Sequence, residues 1–181
     1  YHPVASGYGN SSGYDAQIAA DAWDNYKYLN VYIQNDLYAN NVYNNSGIAW
    51  YPNTNMSNAG TARIVYNGAY LATNTNAEFA STLTHEFAHW LNLIHTFEGG
   101  CSGANDFVND TPSCDFGGAS YPCHSSPTST GPVSCGHLVN AENYMDYSGA
   151  SGCYKMFTTE QTWRVYAALQ HPARFPIWQP N

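Results

Sequence analysis

The stretch that most constrains this chain is His85-Glu86-Phe87-Ala88-His89-Trp90-Leu91-Asn92-Leu93-Ile94-His95. On an α-helix, residues four apart stand about 40° apart around the axis and one turn along it. The imidazoles of His85 and His89 can therefore meet one ion. Glu86 falls between them and projects beside that ion, where a carboxylate can deprotonate a bound water. His95 cannot join if the helix simply continues, so the backbone must turn sharply just after Leu91. Asn92 is the residue there that tolerates positive φ. Three neutral imidazoles leave a fourth zinc position open, as a catalytic site requires. A structural zinc closes that position with Cys or His and has no use for Glu86.

The helix carrying this stretch has a start signal. Thr75-Asn76-Ala77-Glu78 is a capping-box pattern, which predicts a beginning at about Asn76. Phe79, Leu83, Phe87 and Leu91 recur at i, i+4 and predict its buried stripe, with His85 and His89 on a neighbouring sector facing a cleft. Upstream, Ile18, Ala19, Ala22, Trp23 and Tyr26 predict an amphipathic helix over 14–28. Alternation predicts a strand at 29–34, a shorter one at 48–51 closed by Pro52, and another at 62–66 ended by the turn pair Asn67-Gly68. Residues 53–60 read as loop by composition. Downstream, Thr158-Thr159-Glu160-Gln161 is a second capping box, opening a helix that runs to about Gln170. Trp163, Val165, Tyr166 and Leu169 are its expected inner face.

The formal charge is −8, and only 10% of the 181 residues are charged. There is no basic run, which excludes nucleic acid and anionic membrane as partners. No stretch approaches the ~20 apolar residues of a membrane span. The length suits one domain with a sizeable core. Tyr1-His2-Pro3 is not a leader sequence, so a secreted origin implies that such a segment, and any propeptide, has been removed. Five cysteines (101, 114, 123, 135 and 153) all follow the motif helix. They accompany a stretch from Glu98 to Asn140 rich in Gly, Ser and Pro, which cannot bury enough apolar surface to fix itself. Disulfides would supply that constraint, and they imply an oxidising compartment. The odd count leaves one cysteine unpaired.

With the histidines in place, the chain resembles the metzincins, zinc peptidases with His-Glu-x-x-His-x-x-Gly-x-x-His and a methionine-containing turn. Asn143-Tyr144-Met145-Asp146-Tyr147 supplies the turn, and Asn92 stands where glycine is usual. Over the second half of the chain it is most similar to the pappalysin (cytophagalysin, M43-like) branch. The residues carrying that similarity are His85 to Phe97, Gly99-Gly100-Cys101, Asp110-Thr111-Pro112, Ser134-Cys135, Asn143 to Ser148, and Phe157-Thr158 with Gln161 and Arg164. The resemblance implies zinc on His85, His89 and His95, with Met145 as an apolar floor that does not coordinate. It implies disulfides Cys101–Cys135 and Cys123–Cys153, leaving Cys114; the spacing alone equally allows Cys114 with Cys153. It makes 62–66 the sheet edge on which substrate lies antiparallel, beside the alternative of an ordinary edge strand.

Two assignments stay open at this level. Asp106, the Val108 carbonyl, Asp110 and Thr111 offer alternating oxygen donors that suit calcium, which pappalysin-like enzymes use in this region. The same loop also reads as an Asx-turn whose carboxylates bond local amides. Tyr147 can hydrogen-bond a developing oxyanion, ligate the metal at rest, or pack beside Met145. The expectation is a mixed α/β (α+β), metzincin-like zinc peptidase. One catalytic domain spans 1–181. A twisted mixed sheet with the motif helix (about 1–95) sits above an irregular, disulfide-stapled lower subdomain (about 96–181). The expected activity is that of a secreted, monomeric zinc endopeptidase on protein or peptide substrates. The metal polarises the scissile carbonyl, Glu86 is the general base, and Tyr147 steadies the oxyanion. A zinc hydrolase of non-peptide amides and a silent binding module are the competing classes; Glu86 argues against the second.

Overall fold

A computed structural model describes residues 5–43, 46–68, 77–102, 106–115, 133–147 and 154–179 of the chain, with side chains in the motif helix from residue 81 onward. Helix α1 (Asp15–Asp21) precedes strands β1 (Val31–Gln34) and β2 (Gly47–Ala49), helix α2 (Thr54–Asn58) and strand β3 (Ile64–Asn67). The motif helix is α3 (Ala77–Trp90). A two-stranded ribbon of β4 (Val133–Ser134) and β5 (His137–Leu138) follows, then α4 (Thr159–Leu169) and α5 (Phe175–Trp178). The architecture is mixed α/β with a mixed sheet. The capping pattern at Thr75 and Asn76 lies outside the described residues, as do Cys123 and Cys153.

The sheet runs β1-β3-β2, with β3 parallel to β1 and antiparallel to β2. This corrects the expectation that 62–66 is a sheet edge. β3 is central, and all four of its residues are buried, as a strand covered on both faces should be. Arg63, just before the strand, is fully buried as well. Its Nε donates to the Tyr8 carbonyl at 2.7 Å, Nη1 to Thr61 at 2.7 Å and Nη2 to Asn10 at 2.8 Å. The guanidinium also lies over the Trp50 ring at 3.8 Å. Three donors of the fork on carbonyls, with the Asp15 carboxylate 4.0 Å from Nη1, make the charge tolerable inside. The edge beside the cleft is β2.

Packing around β3 forms one core cluster of Tyr8, Ile18, Leu37 and Val65. α1 is shorter than its periodicity suggests. After Asp21, Ala22 is extended, because Asn30 captures the next peptide: its Oδ1 accepts from Trp23 N–H at 2.9 Å and its Nδ2 donates to Trp23 O at 2.8 Å. Trp23 is left 66% exposed. Residues 54–58, read as loop, form α2, capped by Asn53 through the Met56 N–H at 3.1 Å.

A second cluster lies beneath the motif: Ala88, Leu93 and Met145, with Phe157 and Val165 against it. α4 opens with the capping box at Thr158 and Gln161. Its inner face holds Gln161, Val165 and Ala168, whereas Trp163 and Tyr166 are 62% and 63% exposed. The expected inner face was therefore rotated. Gln161 displaces it by bonding the buried Asn143, Nδ2 to Oε1, at 2.8 Å.

Candidate metal centre

α3 buries its polar side. His85, Glu86 and His89 are 4–7% exposed, while Phe87, assigned above to the buried stripe, is 37% exposed. The helix lies on β2 and β3, and the face that meets them carries the motif. After Trp90 it ends in a Schellman turn. Asn92 N–H donates to His89 O at 2.8 Å and Leu93 N–H to Ala88 O at 2.8 Å, with Asn92 at φ 70°. A β-branched residue would be strained there. This turn carries the chain back so that His95 reaches the two helical histidines.

His85 Nδ1 donates to the Tyr144 carbonyl at 2.5 Å and His89 Nδ1 to the Leu93 carbonyl at 2.7 Å. A carbonyl only accepts, so in each neutral ring the proton sits on Nδ1 and a lone pair on Nε2. These Nε2 atoms lie 3.2 Å and 3.0 Å from that of His95. The candidate ligand atoms all fall within 4.8 Å of each other, so the donor set fits zinc: three imidazole nitrogens, two of them oriented by backbone carbonyls. Burial, joined by the neighbouring imidazoles, holds His85 down at about 3 and His95 at about 4, and burial lowers His89 as well. All three are neutral at physiological pH, as imidazoles that hold a metal must be.

Glu86 is pushed up to about 8 by burial, against a backbone hydrogen bond from Gly47 that favours its charged form. Tyr147 lies across from it, with its ring 4.8 Å from His95 and 5.3 Å from His85. Burial, then the Glu86 carboxylate, raises its phenol to about 12, so the hydroxyl keeps its proton and remains a donor. Two hollows meet at this pair. One, of about 390 Å³, reaches Ser81, Tyr144 and Tyr154; the other, of about 230 Å³, runs along β2 from Gly47 to Ala49. Both are lined by Glu86 and Tyr147.

The profile of the Peptidase M43 family, Pregnancy-associated plasma protein-A, matches residues 12–170. The chain belongs to the M43 peptidase family. It is 35% identical over 174 residues to an extracellular metalloprotease of Verticillium alfalfae, covering 91% of this chain and 57% of that protein. An extracellular metalloprotease of Colletotrichum graminicola is 35% identical over 134 residues, covering 67% and 43%. The chain thus spans about half the length of these relatives. Among solved structures it resembles Tannerella forsythia mature mirolysin in complex with a cleaved peptide, with a TM-score of 0.68 at 25% identity, over 93% of this chain and 64% of that one. Zinc is the metal this M43 membership implies.

Around the M43 motif, Met145 is fully buried under the turn, and its carbonyl accepts from Thr96 N–H at 3.1 Å. Cys101 and Cys135 are disulfide-bonded, and Cys114, buried beside Thr96 and Asp146, has no disulfide partner among the described residues. The 106–111 loop gives calcium no support. Asp106 accepts from Thr111 Oγ1 at 2.7 and 2.9 Å and from Val108 N–H, and Asp110 accepts from Glu160 N–H at 2.9 Å. The carboxylates tie the loop to itself and to the start of α4, as an Asx-turn does.

Three further residues position the centre: Arg164, named above only for the family resemblance, and Arg174 and Gly47, which motif reading passed over. Arg174 Nε donates to Trp90 O at 3.0 Å, and Arg164 Nε to Asn92 O at 2.6 Å. They meet carbonyls at the negative end of α3, each such bond contributing about 1.5–3 kcal/mol. Gly47 is the third. A Cβ there would stand 2.5 Å from Glu86 Cγ and 3.0 Å from Val65 O. Its one sequence signal is a glycine at a strand start, which marks close approach. Gly47→Ala is expected to lower the melting temperature, overpacking costing about 1–3 kcal/mol. Turnover should fall at least about tenfold with metal content unchanged, because Glu86 is displaced. Thermal melts and kinetics on metal-assayed protein check this, and wild-type turnover would show that strand and helix part freely.

Proposed function

We propose that the chain is the catalytic domain of a secreted zinc endopeptidase, monomeric, acting on proteins or peptides. The observation that carries this reading is the convergence of three Nε2 atoms beside a buried glutamate and a protonated tyrosine in one cleft. Residues 1–181 form one catalytic unit, with the cleft between a part ending near His95 and a part beyond it. Zinc held by His85, His89 and His95 supplies Lewis acidity, which acidifies water and polarises a carbonyl. Glu86, dry and held by the Gly47 amide, takes a proton from the attacking water and returns it to the leaving amine. Tyr147 donates its hydroxyl to the carbonyl oxygen as charge develops there. A peptide lies along β2, the edge strand of the sheet, where backbone hydrogen bonding holds it regardless of sequence. The Cys101–Cys135 bridge suits the oxidising compartment of a secreted protein.

The reading is tested by incubating the protein with a proteome-derived peptide library, with and without a chelator. Cleavage that the chelator abolishes and zinc restores is the expected result. Hydrolysis of small non-peptide amides with no cut in the library would overturn it. Tyr147→Phe separates the roles of that phenol. If its hydroxyl acts only on developing charge, kcat falls by about tenfold to a hundredfold while KM hardly moves. Unchanged kcat and KM would leave Tyr147 as packing against His95 and Phe97.

A further inference from the structure

Four stretches of the chain have the form Asn-x-Ser or Asn-x-Thr with no proline between: Asn10-Ser11-Ser12, Asn44-Asn45-Ser46, Asn55-Met56-Ser57 and Asn109-Asp110-Thr111. In the secretory pathway of a eukaryotic cell this pattern marks an asparagine that can take an oligosaccharide on its amide nitrogen. The fold must then leave room at that nitrogen for a bulky, solvated group. Asn44 lies outside the described residues, and the other three are set differently. Asn10 is part-buried. Its Nδ2 donates to the Tyr38 carbonyl at 2.8 Å and its own carbonyl accepts from Arg63 Nη2 at 2.8 Å, so it is built into the packing around Arg63. Asn109 holds its loop to α4, its N–H and Nδ2 donating to Glu160 Oε2 at 2.7 and 3.1 Å. Pro112, directly after Thr111, also restricts how that hydroxyl can turn back toward Asn109. Asn55 is open. It stands exposed in the first turn of α2, and its side-chain amide has no hydrogen bond among the described residues. It lines neither of the hollows beside the metal centre.

The hydroxyl two residues further on is a second, independent observation. Ser57 is 4% exposed, and its Oγ has no hydrogen-bond partner among the described residues. A buried hydroxyl without a partner is unfavourable, and alanine would fill the same place without that loss. Glycan transfer gives the hydroxyl a use before folding. A helix of five residues does not hold together alone, so α2 forms only as the domain packs around it. In the nascent chain the Ser57 hydroxyl is free to act beside the Asn55 amide; packing then hides Ser57 and leaves Asn55 outside. We infer that Asn55 is an N-glycosylation acceptor, modified before α2 folds. The inference rests on the secreted reading proposed above, in a eukaryotic cell such as those of the fungal relatives. The co-reactant is a lipid-linked oligosaccharyl diphosphate. Asn55 Nδ2 attacks its anomeric carbon, and the nitrogen–carbon bond forms as the bond from that carbon to the diphosphate oxygen breaks. The lipid diphosphate leaves with the electron pair, and one amide proton goes to a base of the transferring enzyme.

The whole chain, given a secretion leader, is expressed in a yeast host, and the cell-retained and secreted fractions are both treated with an N-glycan amidase in heavy-oxygen water. That treatment turns a glycosylated asparagine into labelled aspartate. Peptide mapping is expected to find the label on Asn55 in most molecules and little on Asn10 or Asn109. Ser57→Ala should remove the label from Asn55. Asn55→Gln, a change at an exposed position, should remove one glycan's shift on a denaturing gel. Bare Asn55 in both fractions would overturn the inference, as would equal label on Asn10 or Asn109, or label on Asn55 that survives Ser57→Ala. The secreted reading is scored separately on the same digests. A chain retained in the cell with Cys101 and Cys135 reduced counts against that reading, whatever stands on Asn55. A secreted, bridged chain with bare Asn55 ends this inference alone.

Discussion

Glu86→Gln, loaded with zinc, should retain the metal near stoichiometry and lose at least about a hundredfold in turnover, the scale of a missing general base. The substitution is nearly isosteric. A glutamine oxygen can still accept from the Gly47 amide that now faces the carboxylate, so the helix keeps its seat on β2. No metal bond is touched, because the proposed ligands are the Nε2 atoms of the histidines on either side and beyond the turn. What disappears is a group able to hold a proton between water and the leaving amine. Zinc content and kcat/KM must be measured on the same sample. A zinc-replete Gln variant with wild-type turnover would remove Glu86 from the chemistry and with it the proposed mechanism.

His95→Ala should fail earlier, at metal binding. His85 and His89 are fixed by a stiff helix and by carbonyl partners, whereas His95 arrives from the far side of the Asn92 turn and completes the set. Removing it leaves two ligands. The affinity should fall by more than the 10–100-fold expected when only an outer partner of a ligand is lost. Activity should vanish with it and return in part only at high zinc. Unchanged zinc affinity, measured by competition with a chromogenic chelator, would mean that another side chain is the third ligand. The two variants are diagnostic together, since one separates chemistry from metal and the other removes the metal itself.

The firm placement of that turn explains how one histidine outside the helix can be trusted to reach the centre. Arg174 and Arg164 hold the Trp90 and Asn92 carbonyls, and Arg174 also spans to Trp50 O at 3.2 Å and lies 3.9 Å over the Trp90 ring. Burial lowers both Arg63 and Arg174 to about 10, still charged at neutral pH. In a chain with only five Lys and Arg, two sit in the interior as fasteners.

By itself the sequence determined what depends on neighbours a few residues away. Two histidines on one helical face, a positive-φ residue at Asn92 and the capping box at Thr158 follow from local geometry, and each is present. Such features are legible because the interacting groups are fixed by spacing along a single helix turn. Strand order was another matter. The resemblance puts the run through Arg63 at a sheet edge, whereas pairing on both sides makes it central, and distant carbonyls from Tyr8 and Asn10 allow the Arg63 charge to be buried. The same holds for Phe87, Trp163 and Tyr166, apolar residues at helical spacing that face outward. Periodicity locates a stripe, but which stripe is covered depends on what packs there. On α3 the polar stripe wins because β2, through Gly47, comes close enough to cover Glu86. Tertiary structure alone decided that the edge beside Glu86 is β2. A three-residue strand leaves almost no periodic signal, and its role comes from antiparallel pairing with a central strand further along the chain, Gly47 facing Tyr66 and Ala49 facing Ile64.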